Sequence, residues 1–165
     1  MRKTLGLMMV VILITSIAVK AEVMQGDNEA SIFYNFTDIS GADTDNLHGV
    51  GISVGHFYTN ELELGLVGSG GWSSDLDLYL LGANAKYHFM PECDLVPYLG
   101  GQINYVWAKG GDDPDGIGWG PLAGVKLFTD KLTSVFVEYQ YQFFNDVSSS
   151  TDHANFILLG ISRKF

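Results

Sequence analysis

Eight times along this chain, apolar residues return at every second position, and that period limits what the chain can become. Alternation at period two places successive side chains on opposite faces of a β-strand. SIFYNFT sets Ile32, Tyr34 and Phe36 against Ser31, Asn35 and Thr37, and GVGISVGHFY sets Val50, Ile52, Val54 and Tyr58 against Gly51, Ser53 and Gly55. ELELGLVG, YLLGANAKYHF, YLGGQINYVW, WGPLAGVKLF, VFVEYQYQFF and NFILLGISRKF repeat the scheme. No segment after the first twenty residues carries a helical period.

The connectors alternate as well. DISGADTDNLH, SGGWSSDL, AKGGDDPDGIG and NDVSSSTDH are mostly long and rich in Gly, Ser and Asp, whereas YTNE, MPECDLVP and TDKLTS are mostly shorter. Strands of about ten residues, joined by long and short connections in turn, predict an all-β fold. That fold is an eight-stranded antiparallel up-and-down transmembrane β-barrel. An even strand number returns both chain ends to one side.

Which face of the barrel meets lipid follows from what each parity holds. The less apolar parity contains Gly51, Gly55, Gly65, Gly82, Gly100, Gly120, Gly124 and Gly160, beside Lys86, Lys126, Glu63, Glu138, Asn35, Asn84, Asn104, Gln102, Gln140 and Gln142. A water-facing surface does not need so much glycine. A crowded eight-strand lumen does, because small residues must interleave with long polar ones. The apolar parity places Tyr58, Tyr79, Tyr87, Tyr105, Trp107, Trp119, Tyr139 and Tyr141 near strand ends, where half-polar rings suit the two bilayer interfaces. The apolar face is therefore expected outside, in lipid. A soluble ligand-carrying barrel would reverse the two faces.

The N-terminus points to export. Arg2 and Lys3 precede the apolar run Leu5–Val19, and Val19-Lys20-Ala21 ends in small residues suited to cleavage. The run is short of the roughly 20 residues of a spanning helix. The expected division is a signal peptide at 1–21 and a barrel domain at 22–165, which leaves six basic residues against nineteen acids and a formal charge of −13. That balance lacks the basic footprint of a nucleic-acid binder. The lone Cys93 excludes an internal disulfide. Hydrophobic residues still make up 47% of the chain, which an acidic exported protein explains most simply by facing lipid.

Taken together, the segments resemble the small outer-membrane β-barrel family of the OmpX and OmpA-barrel type. The resemblance covers residues 28–165 and is most specific in GPLAGVKLFTDKLTSVFVEYQYQF and in GISRKF. It implies a bacterial outer-membrane location, lipid and lipopolysaccharide as surroundings, and a monomer. It also implies a C-terminal signal for the barrel-assembly machinery, carried here by Leu159, Gly160, Ile161 and Phe165. Arg163 departs from that pattern, which has an aromatic two residues before the end. No peptidoglycan-binding domain is expected.

Three chemistries bear comparison with these residues. For a narrow ion channel, Lys126 and Glu138 lie inward on strands joined by a short turn. They predict an internal ion pair, with Lys86 and Glu63 as further members, and its simpler role is to hold the lumen closed. For a lipid A-modifying enzyme, His48, His56, His88 and His153 are the possible bases, and His153 lies beside Ser148, Ser149, Ser150 and Asp152. The His-x-Ser pattern of lipid A deacylases is missing there, since Asn155 stands two residues on. For a metal, GGDDPDGIG and GADTDN lack the full calcium-loop spacing. Bridging of the loop acids (Asp38, Asp43, Asp45, Asp75, Asp112, Asp113, Asp115, Asp146 and Asp152) to lipopolysaccharide phosphates by divalent cations is a further possibility. No catalytic, cofactor-binding or metal site is assigned. The expectation is a structural, envelope-integrity or surface-interaction role, with adhesion to a host or envelope ligand through the long loops as the next alternative.

Overall fold

The computed structural model describes residues 23–39, 47–74, 77–109, 115–145 and 153–165. The expected signal segment and the acids Asp43, Asp45, Asp75, Asp112, Asp113, Asp146 and Asp152 lie outside the described residues. Eight strands follow one another: β1 (Asn28–Ile39), β2 (Leu47–Phe57), β3 (Leu62–Trp72), β4 (Asp77–His88), β5 (Leu95–Lys109), β6 (Asp115–Phe128), β7 (Thr133–Asn145) and β8 (His153–Lys164). Each pairs antiparallel with its neighbours in sequence. β8 returns to β1, with Ile32 opposite Ile161 and Glu29 opposite Lys164, so the sheet closes. Closure leaves no unpaired edge, which is the condition for a sheet to exist in hydrocarbon.

The strands run further than the alternation predicts. β3 continues through Gly70, Gly71 and Trp72, and β5 begins at Leu95 within the expected connector MPECDLVP. Backbone pairing carries these ends, and glycine and serine leave no hydrophobic period by which to see it. Pro121 has no N–H, and the β6–β7 ladder is interrupted between the Trp119–Phe143 and Leu122–Gln140 pairs.

The outer face is the apolar parity. Ile32, Val50, Ile52, Leu66, Leu81, Leu99, Ile103, Leu159 and Ile161 are all exposed, which fits a wall solvated by lipid and not by water. The long connectors mark the extracellular side and the short turns the periplasmic side. Tyr58, Tyr87 and Phe89 ring the periplasmic edge. Tyr79 stacks on Trp107, and Trp119 packs tilted against Phe143, towards the other edge, forming the second aromatic girdle.

The inward parity is buried, and it is layered rather than uniformly polar. Val23, Phe57, Val96 and Phe128 close the periplasmic end. Above them lies a charged layer. From mid-barrel to the extracellular end, Phe33, Leu80, Val106, Phe136, Phe156 and Leu158 form the main apolar cluster, interleaved with amides. Val23 reaches its place because the chain turns at Gly26, whose φ of 92° is readily open only to glycine. The N–H groups of Val23 and Gly26 donate to the carbonyls of Pro91 and Phe57, and these bonds hold the segment beneath the barrel.

Candidate functional site: the filled lumen

Strand register brings the charged layer together. Glu29 of β1, Glu63 of β3, Lys86 and His88 of β4, Tyr98 of β5, Lys126 of β6 and Glu138 of β7 all point inward near the periplasmic third. Lys126 Nζ donates to both carboxylate oxygens of Glu29, at 2.7 and 2.8 Å, and lies 4.0 Å from Glu63. Lys86 Nζ sits 2.9 Å from Glu138 Oε2, and the Tyr98 hydroxyl donates to the same oxygen at 2.8 Å. Glu63 also holds His88 Nε2 at 2.8 Å. Nearer the membrane edge, Lys164 pairs with Asp27 at 3.1 Å.

All four residues singled out from the sequence are therefore lumenal, but their partners differ from the expected ones. Lys126 takes Glu29 instead of Glu138, and Glu138 takes Lys86. The short turn between β6 and β7 does bring Lys126 and Glu138 onto adjacent strands. The two differ in depth, however, since Lys126 is level with Phe136 and Glu138 with Gly124. Glu29 was missed because the alternation was read only from Ser31 onward. It shares the parity of Ser31 and Phe33, and extending the pattern by one step would have found it.

Above the charges, amides bond across the lumen. Gln140 Nε2 donates to Glu138, Gln102 and Gln142 both donate to Gln140 Oε1, and Asn104 Nδ2 donates to Gln142 Oε1. Asn35, Asn84 and Asn104 carry amide oxygens without a protein partner. They line two cavities of about 10 Å³ each, roughly the room of one water. The glycines have specific neighbours. The rings of Phe33, Tyr98 and Phe136 lie across the lumen face of the glycines paired with them, Gly51, Gly124 and Gly160, where a Cβ would strike the ring. Three aromatic residues thus occupy space that the sequence reading gave to long polar side chains. Their signal was a register one: each ring is directly opposite a glycine.

The histidines are placed apart. His48 hydrogen-bonds the Tyr34 hydroxyl on the outer face, His56 Nδ1 bonds Asn28 Oδ1 at 2.9 Å, and His153 stacks on Tyr141. Ser148, Ser149, Ser150 and Asp152 lie outside the described residues. Among the described residues, no group of three or more His, Cys, Asp and Glu is placed to hold a metal ion. On β8, Leu159, Ile161 and Arg163 face outward, as does Phe165 just beyond it, and Gly160 faces the lumen.

A closed eight-strand barrel with an apolar wall, two aromatic girdles and a side-chain-filled lumen defines a small outer-membrane protein. The chain belongs to the outer membrane protein β-barrel domain family, whose model matches residues 7–165, and its location is the bacterial outer membrane. Among solved structures it is similar to Neisserial surface protein A, at 24% identity and a TM-score of 0.67 over 84% of this chain and 96% of that one. It is also similar to OprG of Pseudomonas aeruginosa, at 14% identity and a TM-score of 0.62 over 89% of this chain and 99% of that one. A third likeness is Ail, the attachment invasion locus protein of Yersinia pestis, at 18% identity and a TM-score of 0.58 over 86% of this chain and 100% of that one. These likenesses show the fold. No curated protein matches the chain.

Proposed function

We propose that the protein is a structural, non-catalytic component of the outer membrane whose interactions are made at its surfaces. One observation carries this reading: among the described residues the lumen is packed with side chains, and its charged groups pair with one another. A bare ion needs a continuous wet path, whereas the cavities among these side chains each have about the volume of a single water. Planar-bilayer recordings of the refolded barrel test the point, with no stable conductance expected. A steady single-channel current would overturn it. Lipid A extracted with and without the protein should have one mass spectrum, and a lost or added acyl chain would restore the enzyme alternative.

Surface interaction through the extracellular loops is the second reading, supported by loops on a rigid scaffold being where binding usually resides. Ail has been crystallised with the heparin analogue sucrose octasulfate. This chain's extracellular connectors are acidic, so a basic partner, or divalent cations bridging to lipopolysaccharide phosphates, fits it better than a polysulfate. The same proposal takes residues 1–21 as a cleaved signal and the barrel as a monomer. It takes Leu159, Gly160, Ile161 and Phe165 as the contact with the assembly machinery. The outward lipid-facing row formed by Leu159, Ile161 and Phe165 supports that last role.

A further inference from the structure

The outer wall is not evenly covered. Over β2, β3 and β4, in the periplasmic half, it is hollowed into a groove of about 490 Å³. The floor lies where Gly55 pairs with Gly65, whose side-chain positions face the lumen, and where the small outward Ala83 pairs with Leu66. Val54, Leu64 and Leu66 stand along it, all substantially exposed.

The outward polar side chains of the groove gather at one end, and Asn84, which also borders the groove, is buried on the lumen parity. That end lies at the periplasmic edge, where Asn28, His56 and Tyr58 line it beside Phe165. The other end rises towards mid-membrane between apolar walls. His56 is fixed there: Tyr58 meets its ring edge-on with centroids 4.9 Å apart, and its Nδ1 bonds Asn28 Oδ1 at 2.9 Å. An amide oxygen only accepts, so Nδ1 carries a proton, which leaves Nε2 as the ring nitrogen that Asn28 does not engage. A base held by an amide would be half of a hydrolytic triad, but among the described residues no Ser, Thr or Cys lines the groove. The arrangement binds rather than cleaves.

We propose that this groove holds one glycerophospholipid of the periplasmic leaflet. An acyl chain lies along Val54, Leu64, Leu66 and Ala83, and an amine-bearing headgroup donates an N–H to His56 Nε2. Depth in the bilayer supports the lipid, because the polar and apolar ends of the groove coincide with the head and tail levels of that leaflet. Nε2, the ring nitrogen left over from the Asn28 bond, supports the amine.

Native mass spectrometry of the refolded full-length barrel tests this, using phosphatidylethanolamine and phosphatidylcholine with identical acyl chains. The choline head has no N–H to donate. One phosphatidylethanolamine should be retained with a preference of roughly fivefold or more, the order expected of one hydrogen bond. His56→Leu should erase the preference while still retaining lipid. Ala83→Phe, on the exposed wall, should fill the groove and lose both lipids, with folding confirmed by heat-modifiable gel mobility. Retention of neither lipid, equal retention of both, unchanged binding by Ala83→Phe, or a two-chain species in place of the lipid complex would each overturn the proposal.

Discussion

Lys126 is buried in the lumen with Glu29 as its bidentate partner, so removing one charge leaves the other stranded. Lys126→Met should lower unfolding stability by about 3–5 kcal/mol, while the apolar pair Glu29→Leu with Lys126→Met should recover most of the loss. Urea titration in lipid vesicles reads both variants. Recovery by the pair would show that the interaction closes the lumen without being needed for a particular chemistry. At the membrane edge, Asp130 accepts backbone N–H bonds from Leu132 and Thr133, both at 2.8 Å, and these bonds hold its carboxyl below the ordinary aspartate range. A depressed carboxyl stabilises the fold above the ordinary aspartate pKa, and the contribution is lost as pH falls through the folded value. Asp130→Asn should therefore flatten the acid limb of the stability profile below about pH 4, and a limb unchanged by the substitution would rule this out.

At the scale of elements, the pairing of strands is written in ring–glycine contacts as much as in charge. Gly124→Val would drive a side chain into the Tyr98 ring and should cost about 1–3 kcal/mol, as overpacking does. Made together with Tyr98→Ala, it should cost less than the two single changes combined, with a coupling of about 0.5–3 kcal/mol. A strictly additive cycle in the same urea assay would mean that the ring and the glycine are packed independently. Element existence and facing were legible in the sequence because period two survives any register. Which lumenal group meets which was less so. Ion partners depend on the depth of each residue along a tilted strand, and Lys126 is offset from Glu138 in a way that spacing within each strand does not reveal. Strand ends at Gly70–Trp72 were hidden because glycine carries no hydrophobic signal. The plug residue Val23 precedes the alternation altogether.

For the whole molecule, the outer wall and the filled lumen together predict a detergent- or lipid-dependent fold that migrates differently before and after boiling. Folding in plain buffer with no such shift would put the apolar face inside. The closing seam has a further consequence, for kinetics. Seven of the eight seams join strands consecutive in sequence, while the eighth joins Asn28–Ile39 to His153–Lys164. The longest single chain closure is therefore concentrated in one pairing event. A circular permutant joined across the adjacent Asn28 and Phe165 ends, and reopened in the 129–132 turn, would transfer that burden to β6 and β7. It should reach the same barrel by a different last step.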